Sequence, residues 1–241
     1  MKLTAIIASA AIPSVAYANI GVDWKFPNAP KTALKDLTFP INMANAKHEE
    51  GYFFAQQFKI NGATRGAYTG LQPRPDKNGQ SIIRAVFSSF EAGTTTSHSN
   101  CRDKADGGPG VSCALEIPGD YANTYNLTIE YVSGTTWRGS LTDTVTGKSD
   151  EIGIWTMPVK TGNIQAKSGG FVEYFPWNRN LKQGPDCSKS VKTEATFYDP
   201  KSKTGGAGVL EKPYDYGHCK GKADFKQTKV QGGYTVNYGI N

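Results

Sequence analysis

Hydrophobic and polar residues alternate along several short stretches of the chain, which is the pattern of half-buried β-strands. In the clearest stretch, residues 125–132, aromatic or aliphatic residues alternate strictly with polar ones. Similar stretches are separated by Gly, Asn, Asp and Pro, and they cover residues 52–60, 81–90, 136–142, 152–158, 171–177 and 233–238. Helical patterns are scarce, with a single short turn predicted at residues 32–37. The pattern predicts an all-β protein, an antiparallel β-sandwich or jelly roll.

The first residues have the features of a secretory signal. A lysine at position 2 precedes an apolar stretch too short to span a membrane, and an A-x-A cleavage site follows at residues 16–18. A buried N-terminal helix is the alternative, and Pro13 argues against it. We therefore predict a signal peptide over 1–18, a secreted protein, and no membrane span or lipid anchor.

Four cysteines in a secreted chain predict two disulfides. Three pairings are possible, and the local one joins Cys101 to Cys113 and Cys187 to Cys219. A zinc site is the competing reading, but neither a C-x-x-C motif nor a His pair accompanies the cysteines. Asn126 begins an N-glycosylation sequon, Asn-Leu-Thr, and is the predicted glycosylation site.

Charge divides the chain into two parts. The whole sequence has 27 Lys and Arg against 21 Asp and Glu. Residues 19–178 hold 15 of each sign, whereas residues 179–241 hold 11 basic and 6 acidic residues. We predict a β-sandwich domain over 19–178 and a basic, Gly- and Lys-rich extension over 179–241, either a separate module or the last strands of the same sandwich. The modest basic excess in a secreted protein argues against nucleic acid as the partner.

Several short motifs carry a family resemblance. They are residues 66–72 (GAYTGLQ), 85–90 (AVFSSF), 137–139 (WRG), 143–147 (DTVTG) and 152–153 (IG). Together they resemble a broad family of uncharacterised secreted domains of bacteria and fungi, which are thought to be concanavalin-like β-sandwiches. The resemblance covers about 130 residues and implies fold and extracellular habitat. It transfers no catalytic residue.

Carboxylates are the candidates for catalysis, because glycosidases on sandwich folds use two of them 5–10 Å apart. Six were considered: Glu91, Glu116, Glu130, Asp150, Glu151 and Glu173. Glu130 and Glu173 lie within alternating strands, on the polar face, where carboxylates are usually just solvated. Nucleophilic catalysis is not indicated, because the cysteines are predicted to be bridged and the three histidines are not accompanied by a recognisable nucleophile that they could activate. Asp103 and Asp106 could ligate calcium, but their spacing fits a plain turn better. The sequence therefore predicts no enzyme, cofactor or metal.

Aromatic residues are the strongest signal for binding, because flat rings can stack on sugars. The predicted ligand-binding residues are Tyr68, Gln72, Trp137 and Trp177, with Asn178 and Asn180 as hydrogen-bonding companions. We predict a secreted, non-catalytic, monomeric protein, of a fungal type, that recognises an extracellular glycan or surface ligand. One alternative is an effector that inhibits a host extracellular protease through a disulfide-supported loop at residues 94–113. The other is a glycoside-active enzyme.

Overall fold

The computed structural model describes residues 18–29, 34–158, 160–180 and 184–240, with the side chains of Arg179 and Asn180 excepted. The predicted signal peptide lies outside the described residues up to position 17. Among the described residues, no helix is long and apolar enough to cross a membrane.

The chain forms eighteen strands and three short 3-10 helices in its described part. The strands are β1 (Ala18–Lys25), β2 (Asp36–Asn42), β3 (Tyr52–Phe58), β4 (Ala67–Lys77), β5 (Gln80–Ser89), β6 (Cys101–Asp103), β7 (Val111–Pro118), β8 (Thr124–Ser133), β9 (Thr136–Asp143), β10 (Ser149–Thr156), β11 (Lys167–Tyr174), β12 (Thr193–Tyr198), β13 (Lys201–Ser202), β14 (Gly206–Ala207), β15 (Val209–Leu210), β16 (Tyr214–Asp215), β17 (Lys226–Val230) and β18 (Gly233–Tyr238). The helices are η1 (Ala105–Gly107), η2 (Phe175–Asn180) and η3 (Cys187–Lys189).

The strands form two antiparallel sheets. The first has the order β15-β1-β11-β3-β4-β5-β7-β6, with β16 also paired to β1. The second has the order β10-β9-β8-β2-β12-β18-β17, with β13 and β14 alongside β2. The prediction of an antiparallel sandwich with two disulfides is confirmed. The bridges join Cys101 to Cys113 and Cys187 to Cys219.

Large aromatic side chains fill the space between the sheets. Trp155 of the second sheet stacks on Phe87 of the first, with ring centroids 4.5 Å apart. Trp137 pairs with Trp155 across β9 and β10 and is also fully buried. Gly153 lies against the Cys101–Cys113 bridge, where a Cβ atom would overlap the sulfur of Cys101. The bridge is therefore part of the contact between the sheets, which is packed too closely to admit a further methyl group.

Two regions differ from the sequence expectations. The helical turn predicted at 32–37 is wrong at its described end, because residues 36–42 form β2 in the middle of the second sheet. Pro40 hides this strand in the sequence, because proline lacks the N–H that a central strand normally donates. The basic C-terminal segment contributes β12, β17 and β18 to the second sheet and β15 and β16 to the first. It thus adds strands to both sheets of the sandwich.

Candidate functional site

A cleft of about 790 Å³ lies on the outer face of the first sheet, away from the core. Its floor is formed by β1, β11, β3 and β4, which are neighbours in that sheet. One wall is the loop around η1, and the other is the segment containing β16. The cleft therefore crosses the middle of the sheet, and the loop around η1 and the segment containing β16 border it on either side.

Glu173 is the buried carboxyl group of this cleft. On β11, Val172 faces the core, so the alternation of the strand directs Phe171 and Glu173 to the outer face. Glu173 is 7% exposed, and Asn178 donates a hydrogen bond of 2.6 Å from Nδ2 to its Oε1. Burial raises the pKa of Glu173, the charge of Asp106 adds to this, and the Asn178 hydrogen bond opposes it. The result is a carboxyl group that holds its proton to higher pH than an ordinary glutamate does.

The other carboxyl groups considered in the sequence are engaged elsewhere. Glu116 contacts Arg74, Lys77 and Arg84. Glu91 accepts hydrogen bonds from the backbone of residues 64 and 65, and the remaining three form ion pairs with Lys, Arg or His side chains: Glu130, Asp150 and Glu151. Among the described residues, Glu173 has no cationic partner. It alone of the six combines burial, a raised pKa and a place in the cleft.

Asp106 reaches the cleft from a loop that the Cys101–Cys113 disulfide closes. The backbone of Lys104 and of Asp106 is left-handed, with φ of 70° and 48°. Non-glycine residues in this conformation are strained and are held by their surroundings. Here Ala105 between them is buried, and the Lys104 N–H donates to the Gly110 carbonyl at 2.9 Å. The loop thus fixes the Asp106 carboxylate above the sheet.

Tyr68 connects this loop to the floor. It lies on the outer face of β4, is 8% exposed, and its hydroxyl donates to Asp106 Oδ2 at 3.0 Å. Its ring packs edge-on against Phe53 and Phe90, each with a centroid distance of 5.0 Å. Burial, reinforced by Asp106, raises the pKa of Tyr68, so its hydroxyl remains a hydrogen-bond donor at any physiological pH.

Two tyrosines form the opposite wall. Tyr214 lies flat on Gly21 of β1, where a Cβ atom would overlap its ring, and its hydroxyl donates to Asp23 Oδ2 at 3.3 Å. The ring of Tyr216 is 5.9 Å from that of Tyr214. Burial raises the pKa of Asp23 and raises that of Tyr216 to about 12. This wall offers aromatic surface and hydroxyl groups to a bound molecule.

The predicted ligand-binding residues are distributed over different parts of the molecule. Tyr68 lies in the cleft. Gln72 is on the same strand, and its Oε1 accepts a hydrogen bond of 2.7 Å from Arg74. Trp137 is fully buried between the sheets, so its ring cannot contact a ligand, which corrects that assignment. Trp177 is half-buried, with its ring edge-on to Tyr174 at 5.3 Å.

The remaining predicted sites lie outside the cleft or were not recognised as part of it. Asn126 is half-exposed on the outer face of β8, and its glycosylation stays a prediction. Asn178 was predicted to form hydrogen bonds to a ligand, and in the structure its side chain donates a hydrogen bond to Glu173. Tyr214 and Tyr216 were missed, because their segment has no strand pattern of its own. In the described part of the chain, no three His, Cys, Asp or Glu side chains come together as a metal site requires.

Comparisons with known proteins point to one fold. No protein-family model matches the sequence, and no curated protein matches it. The resemblance to uncharacterised secreted domains therefore stays a prediction. A crystal structure of scytalido-glutamic peptidase with a transition state analog inhibitor matches with a TM-score of 0.52 and 13% identity, covering 94% of this chain and 100% of that one. A structure of SCP-B, a member of the Eqolisin family of peptidases, in complex with the tripeptide Ala-Ile-His matches with a TM-score of 0.49, 13% identity and the same coverage.

The likeness to the first structure is one of fold, and it extends over nearly the whole chain. It contradicts the prediction of a non-catalytic protein, because the solved structure that this chain matches over 94% of its length is that of a peptidase. The predicted glycan or host-protein partner, and the carbohydrate-binding, effector and protease-inhibitor roles, are wrong for the same reason. The two disulfides are consistent with an extracellular location.

Proposed function

We propose that this protein is a peptidase whose catalytic group is the carboxyl of Glu173. The observation that carries the proposal is a buried carboxyl group, with a raised pKa and no cationic partner among the described residues, in an open cleft. The fold likeness to scytalido-glutamic peptidase supports this choice of reaction. The substrate class is therefore peptides or unfolded proteins.

The chemistry follows from the two oxygens of Glu173. Oε1 is occupied by Asn178, whereas Oε2 has no hydrogen-bond partner among the described residues. Oε2 accepts a proton from a water molecule as the water oxygen bonds to the peptide carbonyl carbon. The protonated carboxyl then returns that proton to the amide nitrogen as the C–N bond breaks. The products are one carboxylic acid and one amine, so the added water accounts for all atoms.

The environment of Glu173 suits both steps. A carboxylate with a raised pKa is a stronger base than an ordinary one, and its protonated form is a competent acid in mildly acidic solution. The Asn178 amide keeps the carboxyl group in one orientation, which reduces the reorganisation needed during reaction. Asn178 is thus a positioning residue, and Asp106 acts on Glu173 through its charge.

We also infer that the protein is secreted and that the leader is removed after Ala18. The A-x-A site at residues 16–18 and the two disulfides support this. Ala18 pairs with Glu173 across β1 and β11 and lines the cleft, so its removal with the leader changes the surroundings of the catalytic carboxyl. Edman sequencing of protein from culture medium is expected to begin at Asn19.

The test of the proposed activity is cleavage of an unfolded carrier protein between pH 2 and pH 8, with products identified by mass spectrometry. Wild-type protein is expected to release peptides, and Glu173→Gln is expected to reduce the rate by at least about a thousandfold, because glutamine can neither accept nor return the proton. Glu130→Gln is the matched control, since Glu130 is an ion-paired surface carboxylate on the second sheet.

Two results would contradict the proposal. One is a folded wild-type protein, with both disulfides formed, that cleaves nothing at any pH in this range. The other is full activity of Glu173→Gln together with a native melting temperature, which would place the catalysis on another residue.

A further inference from the structure

The cleft extends much further from Glu173 along the strands in one direction than in the other. Glu173 is the next-to-last residue of β11, and η2 begins two residues later and returns Asn178 to it. The lining continues from Glu173 back along β11 through Phe171 and Gly169 to Ser168. Lys59 and Arg65 also line the cleft.

The register of the strands places these two cations at the far end. Glu173 pairs with Phe53, and Lys59 lies six residues further along β3 and the segment that continues it, where its carbonyl accepts a hydrogen bond from the Gln165 N–H at 2.8 Å. Lys167, the first residue of β11, is also six residues from Glu173. At about 3.4 Å per residue this is about 20 Å, the length of about six residues of an extended peptide. Arg65 lies at the same end of the cleft as Lys59. Phe58, which precedes Lys59, pairs with Ala67 at the start of β4, and Arg65 lies two residues before Ala67.

Three exposed basic side chains lie at the far end of the cleft. Lys59, Arg65 and Lys167 are exposed, and none of their side chains has a carboxylate partner among the described residues. The nearby Glu91 is occupied, because it accepts hydrogen bonds from the backbone N–H groups of residues 64 and 65. Near Glu173 the charge is opposite, since Asp106 faces the same cleft and interacts with Glu173. Asp23, opposite Gly169 on β1, lines the cleft between the two ends, and its carboxylate accepts a hydrogen bond from the Tyr214 hydroxyl. Among the described lining residues, the charged side chains near Glu173 are therefore acidic, and those at the far end are basic.

Resting on the proposed peptidase activity, we infer that the cleft binds an extended peptide mainly on one side of the bond to be cleaved, and that Lys59 and Arg65 select a carboxylate about five or six residues from that bond. The carboxylate can belong to an Asp or Glu side chain or to the carboxyl terminus of the peptide. An acidic residue next to the bond is disfavoured by Asp106. The preferred substrates are therefore peptides with an acidic residue remote from the cleaved bond.

The experiment uses peptides built around a bond that the wild-type protein cleaves, with Glu or Gln placed in turn at positions one to seven on either side. Rates are measured at about pH 5.5, where a peptide glutamate with a pKa near 4.3 is ionised. We expect kcat/KM to be about three- to tenfold higher for Glu than for Gln at positions five and six on one side, the size typical of one or two exposed ion pairs. Peptides ending at those positions, as free acids or as amides, separate the two sources of the carboxylate.

Variants assign the preference to residues. Lys59→Gln combined with Arg65→Gln is expected to abolish the difference between Glu and Gln peptides. Lys201→Gln, an exposed lysine on the second sheet, is the matched control and is expected to retain it. Equal rates for Glu and Gln at every position, or a preference that survives the double variant, would overturn the inference while leaving the peptidase activity standing.

A binding measurement separates this failure from that of the proposed function. Fluorescence anisotropy with labelled Glu and Gln peptides is carried out on Glu173→Gln, which we expect to bind peptides without cleaving them. Tighter binding of the Glu peptide that depends on Lys59 and Arg65 supports the basic subsite even if wild-type protein cleaves nothing. Equal binding of both peptides overturns the subsite on its own.

Discussion

Removing the Cys101–Cys113 disulfide is expected to reduce both stability and activity, because the bridge has two structural roles. It closes the loop that carries Asp106 over the cleft, and its sulfur atoms pack against Gly153 of the opposite sheet. The perturbation is the double variant Cys101→Ala and Cys113→Ala. The paired positions are direct cross-strand neighbours on β6 and β7, so the hairpin itself retains its hydrogen bonds.

The size of the stability loss follows from the length of the closed loop. The bridge spans 12 residues of sequence, and in the chain-entropy model a loop of this length contributes about 3 kcal/mol. For a chain of this size each kcal/mol lowers the melting temperature by about 2–4 °C, so a fall of about 6–12 °C is expected. The Cys187–Cys219 bridge spans 32 residues, and its loss is expected to cost about 0.9 kcal/mol more.

Calorimetry of the two double variants tests the stabilities, and peptide hydrolysis well below the lower melting temperature tests the site. The Cys101–Cys113 variant is expected to lose kcat/KM even where it is fully folded, because the wall containing Asp106 is no longer fixed. A melting temperature within 2 °C of wild type would refute the loop-closure argument. Unchanged kcat/KM in the folded variant would refute the role of the loop in the cleft.

Three further predictions follow from the contacts. In the pH profile of kcat/KM, Asn178→Ala is expected to move the acidic limb to higher pH, because it removes a hydrogen bond that lowers the pKa of Glu173. Asp106→Asn is expected to move the limb to lower pH, because it removes a charge that raises the same pKa. Movement of both variants in the same direction, or an equal movement in the surface variant Asp150→Asn, would contradict this. Hydrogen bonds from Lys77 and then from Arg74 and Arg84 lower the pKa of Glu116 from 4.5 to about 2. Its stabilisation is therefore present above pH 4.5 and is lost as the pH falls toward 2, so the difference in melting temperature between wild type and Glu116→Gln should shrink over that range, whereas a constant difference would refute the ion-pair argument. Gly153→Ala is expected to destabilise the fold by about 1–3 kcal/mol through overlap with the bridge, measured by urea unfolding; an unchanged midpoint would show that the sheets can separate locally.

The alternating pattern of the strands was readable because one face of each sheet is buried. Residues 125–132 and 233–238 were identified from a two-residue period and correspond to β8 and β18. β2 was missed because it lies in the centre of its sheet and contains Pro40. The disulfide pairing was also accessible, since each bridge joins cysteines that are near one another along the chain.

The cleft could be anticipated only in fragments. Glu173 was one of six carboxyl candidates, and Asp106 was considered only as a calcium ligand or a turn residue. What distinguishes Glu173 is its burial, the Asn178 contact and the proximity of Asp106, which come from three separate parts of the sheet face. The prediction that Trp137 binds a ligand was wrong because sequence alone does not tell which face of the sheet is buried. A tryptophan in an alternating strand can face either the core or the solvent, and Trp137 faces the core.

The sequence by itself determined the class of fold, the local pairing of the cysteines and the presence of surface carboxyl groups, because these depend on local periodicity, short loops and composition. The tertiary structure decided which carboxyl group is buried in the cleft with a raised pKa. A pKa depends on the solvent and charges around a group, and here they come from residues 67 positions apart along the chain, brought together by antiparallel pairing over β11, β3 and β4.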